Sequence, residues 1–288
     1  MSARLLDGKI LAGQLKDKLK SEIDALKITV GKVPVVVSIL TGDDPSAVSY
    51  ATSQKRTAEA LGIEYRLMNL PSSITKEEFI EIISQLNADC GVDGIMINKP
   101  LPAHINHAML ANLVADHKDI EGLNLVNIGK MFLGTTKLLP CTAAAVMEHL
   151  KSAQVSLRGK EAVVLGRSEI VGKPLALLLL AQSATVTVCH SGTSEAGKLV
   201  DHLKRADVVV AAIGRAGFVK GDWIKPGAIV IDVGINQEGS KIVGDVDFIS
   251  VSKTAGAVTP VPGGVGPVTS VILMRNVVEA FKQHNNLK

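Results

Sequence analysis

The sequence is poor in cysteine and contains no long hydrophobic run. Its three cysteines, Cys90, Cys141 and Cys189, are odd in number and far apart, so they offer neither a disulfide framework nor the spacing of metal ligands. No stretch approaches the ~18 consecutive apolar residues of a membrane helix, and the N-terminal segment lacks the apolar core of a signal peptide. These absences argue against a disulfide-rich secreted protein, a metal site and a membrane protein, and they predict a cytoplasmic location.

An excess of charge of one sign is also missing. The 31 basic and 28 acidic residues leave a formal net charge of +3, and they are spread evenly along the chain. Proteins that bind nucleic acid concentrate positive charge on one surface and often add aromatic platforms, but aromatic residues make up only 3% here. Nucleic acid is therefore not an expected partner.

Aliphatic residues are abundant. Hydrophobic residues form 47% of the 288-residue chain, and because aromatics are scarce the interior must consist of Val, Ile, Leu and Ala. That content is typical of parallel sheets covered by helices. The length is sufficient for two modest domains, so the expected class is α/β with two domains.

The first half alternates helix and strand patterns. Apolar residues at helical spacing predict a helix over 5–27, and a β-branched run predicts a strand over 33–40. The predicted elements that follow are a helix over 46–61, a strand over 65–70, a helix that begins with a Thr75 and Glu78 capping box and runs to 86, and a strand over 94–97.

A second alternation begins after residue 140 and is typical of a doubly wound dinucleotide-binding fold. Its predicted strands cover 162–165, 185–189, 208–212 and 228–232, and its predicted helices cover 143–150 and 171–180. A last helix over 268–281 is expected to return to the first domain. The predicted domains are residues 1–140 with 269–288, and residues 141–268.

The strand over 162–165 runs into a glycine-bearing turn that opens a helix, an arrangement that suits a phosphate. Gly166, Arg167 and Ser168 form this turn, and Gly172 follows at the start of the helix. The pattern is G-x-S-x-x-x-G and differs from the full G-x-G-x-x-G fingerprint, so an ordinary tight βα turn is the alternative.

The end of the next strand bears on the choice of cofactor. Ser191 and Thr193 stand where an NAD enzyme usually has an acidic residue, and Arg167 lies in the preceding turn. This combination suits a 2′-phosphate and favours NADP over NAD. The alternative for Arg167 is a solvated loop arginine. For His190, the favoured interpretation is a structural histidine.

Candidate substrate residues lie in the first half. Tyr50 and Gln54 are one helical turn apart, although such a pair is more commonly a surface or packing pair. Asn98 and Lys99 follow a buried strand, at the sheet edge where α/β proteins bind ligands. Glu121 belongs to a turn, where an exposed carboxylate is the alternative, and the Pro- and Gly-rich loop over 259–267 is expected to wall a pocket.

Over essentially its whole length the chain resembles the methylenetetrahydrofolate dehydrogenase/cyclohydrolase family. The segments that carry the resemblance are 42–45 with Tyr50, 99–102, 140–142, 166–174, 232–236, 244–246 and 259–269. The resemblance implies a folate domain and an NADP domain that face each other across a cleft, usually in a homodimer. It also implies oxidation of 5,10-methylenetetrahydrofolate to the methenyl compound, followed by hydrolysis to 10-formyltetrahydrofolate.

The resemblance assigns roles to particular residues. The catalytic positions are occupied by Tyr50, Gln54, Asn98 and Glu121. The substrate-binding positions are Tyr50, Asn98, Lys99, Pro100, Leu101, Glu121, Pro262, Gly263 and Gly264. The cofactor-binding positions are Gly166, Arg167, Ser168, Ser191 and Ile235.

Three polar positions depart from the family pattern. Gln54 stands where the family has a lysine, and Lys55 is one position late. Asn98 and Lys99 replace a glutamine and a leucine, and Glu121 replaces an aspartate. Hydride transfer requires positioning, whereas hydrolysis requires proton transfers that an amide cannot perform. We therefore expect an NADP-dependent dehydrogenase whose cyclohydrolase activity is weak or lost. The alternative is a non-catalytic or substrate-shifted paralogue that binds nucleotide or folate.

Overall fold

The computed structural model describes residues 2–105, 112–239 and 241–287. The chain forms two compact units, each with its own parallel sheet. The six-strand unit comprises Met1–Gln14 and Pro140–Thr269, and the three-strand unit comprises Leu15–Leu139 and Ser270–Lys288. None of the described helices is long and apolar enough to span a membrane.

Strands and helices alternate along most of the chain. The strands are β1 (Arg4–Leu5), β2 (Val35–Thr41), β3 (Glu64–Leu70), β4 (Gly94–Ile97), β5 (Glu161–Leu165), β6 (Thr185–Cys189), β7 (Val208–Ala211), β8 (Ile229–Asp232), β9 (Asn236–Glu238), β10 (Lys241–Val243) and β11 (Ala257–Val258). The helices are α1 (Gly8–Val30), α2 (Pro45–Leu61), α3 (Lys76–Ala88), α4 (Leu125–Phe132), α5 (Cys141–Ser152), α6 (Gly172–Ala181), α7 (Ser191–Glu195), α8 (Leu199–Arg205), α9 (Phe248–Val251) and α10 (Val265–His284).

The six-strand unit is built on a parallel sheet with the order β1-β11-β8-β7-β5-β6. Leu165 at the end of β5 pairs with Cys189 on one side and with Ala211 on the other. The chain therefore adds β6 on one side of β5 and then returns to add β7 on the other. This reversal of direction creates a crevice at the carboxyl ends of β5 and β7, the place where such sheets bind ligands.

The three-strand unit contains a parallel sheet with the order β3-β2-β4. Its central strand, β2, is buried at every position. The strand order reverses between β2 and β4, so the carboxyl ends of these two strands form the corresponding crevice. Beyond β4, Asp119 forms a parallel bridge with Ile95, which brings the following turn alongside the end of the sheet.

The predicted α/β class, with a Rossmann-type sheet and a C-terminal helix that joins the earlier part of the chain, is confirmed. The predicted strands over 94–97 and 185–189 have the same limits in the structure, and the capping box of Thr75 and Glu78 is present. These elements combine a clear apolar pattern with local end signals, and both are determined by neighbouring residues.

The predicted start of the first helix is wrong. Leu5 belongs to β1, which pairs with β11, and α1 begins only at Gly8 because the Asp7 carboxylate accepts hydrogen bonds from the backbone N–H groups of Lys9 and Ile10. The pairing with β11 also places residues 2–14 in the six-strand unit, whereas the sequence-based division put them in the first domain.

Several short elements escape the sequence patterns. Strands β1 and β11 have two residues each, and the antiparallel hairpin of β9 and β10 has three in each strand. Segments this short contain no repeated period. Helix α4 is eight residues long and leaves Leu125, Val126 and Phe132 more than half exposed, so its apolar residues do not mark a buried face.

Lys118 is a buried lysine that stabilises the end of α3. Its side chain is only 3% exposed, and its Nζ donates hydrogen bonds to the carbonyl oxygens of Leu86 at 2.8 Å and Asp89 at 2.7 Å. These carbonyls belong to the last turn and the cap of α3, which have no partner within the helix. The ammonium group supplies that partner, and its burial lowers the pKa of the lysine.

We expect Lys118→Met to lower the free energy of unfolding by about 1–3 kcal/mol, because it leaves buried carbonyl groups without a donor. Urea denaturation followed by circular dichroism measures the change. Lys130→Met is the control, since it removes a half-exposed lysine paired with Asp116 at 2.6 Å and should cost less than about 1 kcal/mol. Equal losses in the two variants would contradict this account.

Candidate functional site

The turn after β5 is closed by glycines at the crevice of the six-strand sheet. Gly166 has a φ of +119°, and a Cβ atom there would overlap the carbonyl oxygen of Ala212. A Cβ on Gly172 would in turn overlap the carbonyl oxygen of Gly166. The chain can therefore turn tightly from β5 into α6 only with glycine at both positions, and the N-terminus of α6 is held beside the strand end.

The two polar residues of this turn have different roles: Ser168 shapes the turn, and Arg167 is accessible to a ligand. Ser168 accepts a hydrogen bond from the backbone N–H of Lys173 through its carbonyl oxygen, at 3.0 Å. Arg167 is exposed to solvent, as is Ser191 at the start of α7. Because β5 and β6 are adjacent and parallel, Arg167 and Ser191 follow neighbouring strand ends at the same edge. A guanidinium, a hydroxyl and a helix N-terminus at one edge suit a phosphate group.

His190 has a structural role, as the sequence analysis favoured. Its Nδ1 accepts a hydrogen bond from the backbone N–H of Gly192 at 3.2 Å. The Thr193 hydroxyl accepts one from the backbone N–H of His190, also at 3.2 Å, so the two side chains cap α7 reciprocally. Of the two hydroxyls named from the sequence, that of Thr193 is thus engaged in the helix cap.

Two buried carboxylates organise the loops after β7 and β8. Asp245 is fully buried and accepts hydrogen bonds from the backbone N–H groups of Ile213, Gly214 and Arg215 at 2.6, 3.0 and 2.8 Å. Its Oδ1 also accepts a hydrogen bond from Asn236 Nδ2 at 2.9 Å. One side chain thus fixes the loop after β7 to the start of β9.

Asp232 has the corresponding role at the end of β8. It accepts hydrogen bonds from the backbone N–H groups of Gly234, Asp245 and Val246 at 2.9–3.0 Å. Burial raises its pKa to about 6, and the three hydrogen bonds oppose that shift. Ile235, a predicted cofactor-binding residue, lies between these anchored segments with 71% of its surface exposed. The structure therefore presents an apolar side chain on a rigid loop at this edge.

The predicted substrate loop after β11 is also held by close backbone packing. The Gly8 N–H donates a hydrogen bond to the Gly263 carbonyl oxygen at 2.8 Å, and Gly263 has a φ of +101°. A Cβ on Gly264 would overlap the Pro260 carbonyl oxygen. Gly264 is buried and Pro262 is exposed, so the loop has a fixed base and an accessible tip.

In the three-strand unit, Tyr50 and Gln54 lie on α2 but in different surroundings. Tyr50 is 49% exposed, whereas Gln54 is 1% exposed. The Gln54 Oε1 accepts a hydrogen bond from the Tyr65 hydroxyl at 3.2 Å, and its Nε2 donates to the Met96 sulfur at 3.4 Å. Gln54 is therefore fixed inside the unit, one turn deeper than Tyr50.

Asn98 is also buried. Its Nδ2 donates hydrogen bonds to the Ser38 hydroxyl at 2.7 Å and to the Ile39 carbonyl oxygen at 2.9 Å. Its Oδ1 is buried and has no hydrogen-bond partner among the described residues. A hydrogen bond between Ser38 and Tyr65 connects this side chain with Gln54. We call Ser38, Gln54, Tyr65 and Asn98 the buried polar cluster.

Lys55 does not take the place that Gln54 occupies. It is half exposed on the outer face of α2 and forms an ion pair with Glu59 at 3.8 Å, one turn further along the regular helix. A local change of helical register, which would bring Lys55 inward, is absent from this described helix. The buried polar cluster thus contains no basic side chain.

Glu121 and Lys99 supply the charged groups at the carboxyl edge of this sheet. Lys99 is exposed directly after Asn98, as is Pro100, whereas Leu101 is partly buried. Glu121 is partly buried rather than fully exposed, which removes the alternative of a simple solvated turn carboxylate. Burial and the nearby Asp119 carboxylate raise the pKa of Glu121 to about 7, while Lys99 and a backbone hydrogen bond from Ile97 act in the opposite direction.

Sequence reasoning missed the residues that support these sites. Ser38 carried a usable signal, because a polar residue inside the buried run of β2 requires a partner. Tyr65 carried none, and Asp245 was marked only as part of the family segment 244–246, since their partners are 11 and about 30 positions away in the chain. Among the described residues, no group of three His, Cys, Asp or Glu side chains has an arrangement that could hold a metal ion.

The glycine turn at the reversal of a parallel sheet defines the six-strand unit as a dinucleotide-binding fold. The tetrahydrofolate dehydrogenase/cyclohydrolase NAD(P)-binding domain matches residues 140–285, and the catalytic domain of the same family matches residues 6–121. The chain belongs to the tetrahydrofolate dehydrogenase/cyclohydrolase family.

Individual relatives agree with this assignment. The bifunctional protein FolD of Acetivibrio thermocellus is 46% identical over 289 residues and 100% of each chain. The crystal structure of a Campylobacter jejuni enzyme described as bifunctional FolD has a TM-score of 0.94 and 40% identity, covering 98% of this chain and 99% of that one. A Trypanosoma brucei structure, of the enzyme complexed with NADP cofactor and inhibitor, has a TM-score of 0.92 and 36% identity, covering 98% of each chain.

Proposed function

We propose that the protein catalyses the NADP-dependent oxidation of 5,10-methylenetetrahydrofolate to 5,10-methenyltetrahydrofolate in one-carbon metabolism, and that its methenyltetrahydrofolate cyclohydrolase activity is weak or lost. The observation that carries the proposal is the match of both family domains to a chain that has glycine at both close contacts of the turn after β5 and whose Gln54 is buried in a neutral cluster. The three-strand unit would bind the folate and the six-strand unit the cofactor.

The edge of the six-strand sheet fits NADP. Gly166 and Gly172 let the backbone approach closely, and the N-terminus of α6 favours a pyrophosphate. Arg167 and Ser191 would hold the 2′-phosphate through a charge-assisted hydrogen bond and a hydroxyl contact. Ser168 would shape the turn and Ile235 would support the nicotinamide side. Bound NADP supplies the hydride acceptor.

The edge of the three-strand sheet suits a folate ring. Glu121, when ionised, presents two acceptor oxygens to the amino and ring N–H groups of a pterin. Tyr50 and the segment Lys99, Pro100 and Leu101 would line the ring. Pro262, Gly263 and Gly264 stay predicted substrate-binding residues of the loop after β11. Loss of hydride from the methylene carbon gives the methenyl cation directly, so this step requires correct placement and no titratable base.

Hydrolysis of the methenyl cation places a different demand on the site. A water molecule must lose a proton as it attacks, and a group that exchanges protons near neutral pH must accept it. Gln54 is a neutral amide whose carbonyl and amino groups are both engaged inside the unit. Asn98 is an amide as well and donates to Ser38 and Ile39. Neither amide can take the proton, and Glu121, whose pKa is about 7, is assigned to hold the pterin N–H groups instead of activating the water.

The second candidate is a non-catalytic or substrate-shifted paralogue that binds nucleotide or folate. The changes at Gln54, Asn98 and Glu121 favour it, because all three residues belong to the three-strand unit that would bind the folate. We further propose a cytoplasmic homodimer. Analytical ultracentrifugation tests the oligomeric state, and fractionation of cells tests the location.

The direct test is formation of NADPH from 5,10-methylenetetrahydrofolate and NADP, with NAD measured in parallel. We expect turnover with NADP and a rate of methenyl hydrolysis close to the spontaneous one. Absence of turnover with either cofactor would favour the paralogue. Efficient conversion of the methenyl compound to 10-formyltetrahydrofolate would contradict the proposed loss of hydrolysis.

Gln54→Lys is expected to increase the hydrolysis rate at least about tenfold over the parent protein, because it introduces an amine whose pKa burial would lower toward neutrality. Loss of absorbance of the methenyl compound measures the rate. Gln54→Met is the matched control, with similar length and no amine, and Lys55→Met tests the neighbouring lysine. An unchanged hydrolysis rate in a folded Gln54→Lys protein would exclude this position as the cause.

Arg167→Ala should raise the KM for NADP by about tenfold to a hundredfold and leave the KM for NAD nearly unchanged, because only NADP carries the 2′-phosphate. Initial rates with each cofactor measure both constants. Arg158→Ala serves as the control, since it removes an exposed arginine before β5, at the opposite edge of the same sheet. Equal effects on NADP and NAD would show that Arg167 does not contact the 2′-phosphate.

A further inference from the structure

Lys99 is a charged residue at the folate edge that hydride transfer does not use. It follows Asn98 at the carboxyl end of β4, where its side chain is exposed. The bridge between Ile95 and Asp119 runs parallel, and the Ile97 backbone at the end of β4 forms a hydrogen bond with the Glu121 carboxyl. The turn that holds Glu121 and the end of the strand that holds Lys99 therefore meet at one edge of the same sheet.

The carboxylate next to Glu121 is fixed in place. Asp119 is 5% exposed, and its Oδ2 accepts hydrogen bonds from the Asn124 backbone N–H at 2.8 Å and from Asn127 Nδ2 at 2.9 Å. These two donors hold the Asp119 carboxylate in one orientation inside the unit. Glu121 therefore carries its charge close to a second carboxylate, which raises its pKa.

Among the described residues, Lys99 is the cation that favours the charged form of Glu121. Burial and Asp119 disfavour the carboxylate form, and Lys99 favours it. From α10, Asn276 approaches the same turn and donates to the Ile120 carbonyl oxygen at 2.8 Å, but it is a neutral amide. Within the described residues, Asp119 and Lys99 are the charged groups that act on Glu121 from the segments around it.

The charge of Glu121 matters for binding because only the ionised carboxyl offers acceptors on both oxygens. A protonated carboxyl would direct one O–H toward the N–H groups of a pterin and lose one of the two contacts. Under the proposed function, the substrate therefore requires the ionised form. A cation at the mouth of the site stabilises that form and remains accessible to solvent.

We propose that Lys99 is a positioning residue whose ammonium group keeps Glu121 in the carboxylate form that accepts hydrogen bonds from the substrate. The inference rests on the proposed folate substrate, and it adds a specific role for a lysine that stands where the resembling family has a leucine. Lys99 acts through Glu121, and the role requires no direct contact with the reacting atoms.

The test compares Lys99→Met with Lys99→Arg, which retains the charge. Lys55→Met is the matched control, because it removes another exposed lysine from the three-strand unit. KM for 5,10-methylenetetrahydrofolate and kcat are measured with saturating NADP from about pH 6 to about pH 9, a range that spans the titration of Glu121. Carbon-13 NMR of glutamate-labelled protein follows the Glu121 carboxyl directly, with Glu121→Gln assigning its signal.

For Lys99→Met we expect the protonation midpoint of Glu121 to rise. The ratio of its KM to that of the parent should be about threefold to tenfold larger at about pH 6 than at about pH 9, where both carboxyls are ionised and only the contact of Lys99 with the ring is lost. The kcat should stay within about twofold, because the lost interaction is made before the chemical step. Lys99→Arg and Lys55→Met should follow the parent.

Three results would overturn the proposal. An unchanged midpoint in Lys99→Met would do so whatever the activity. A KM ratio that is the same at all pH values would mean that Lys99 contacts the substrate itself, and an equal effect of Lys55→Met would indicate a general effect of net charge. If the midpoint rises but the parent protein does not oxidise the folate, the proposed function fails while the electrostatic pairing of Lys99 and Glu121 stands.

Discussion

A buried carboxylate is stable only when donors surround it, and the binding edge of the six-strand sheet depends on two such groups. Asp232 and Asp245 together accept hydrogen bonds from six backbone N–H groups. Parallel strands end at one edge, and the loops that leave them have N–H groups with no partner in the sheet. The two aspartates supply these partners, so the loops after β7 and β8 are rigid without forming regular structure. The accessible Ile235 is held between them.

The sequence was informative about the fold wherever a repeated pattern and an end signal coincided. Helix α3 has both an apolar face and a capping box, and β4 is a short apolar run between turns, so both were predicted closely. Strands β1 and β11 have two residues each and exist because they pair across about 250 positions of sequence. No local pattern encodes such a pairing. The inclusion of residues 2–14 in the six-strand unit follows from it and was missed for the same reason.

The candidate sites were partly predictable for similar reasons. The glycine turn at Gly166 is a local motif, and the steric contact that demands glycine is made with the adjacent strand of the same sheet. The position of Gln54 on α2 was identified by counting from Tyr50. Its burial depends on Tyr65 of β3 and Met96 of β4, which the count does not reveal. The environment of Glu121 was also hidden, because it results from the parallel bridge of Asp119 with Ile95. Motifs thus located the polar residues, whereas the burial and the surroundings of their side chains depend on partners that are distant in the sequence.

The division of the chain has a consequence for its history and its engineering. Each unit is assembled from two separate stretches, and two of the three boundaries fall inside α1 and α10, while the third lies just before α5. A single cut after Leu139 would deprive the six-strand unit of its edge strand β1 and the three-strand unit of its last 19 residues, including Asn276. Neither unit can be transplanted as one uninterrupted cassette. Recombination that exchanges half of such a gene would break both cores, so the two units are expected to be inherited together.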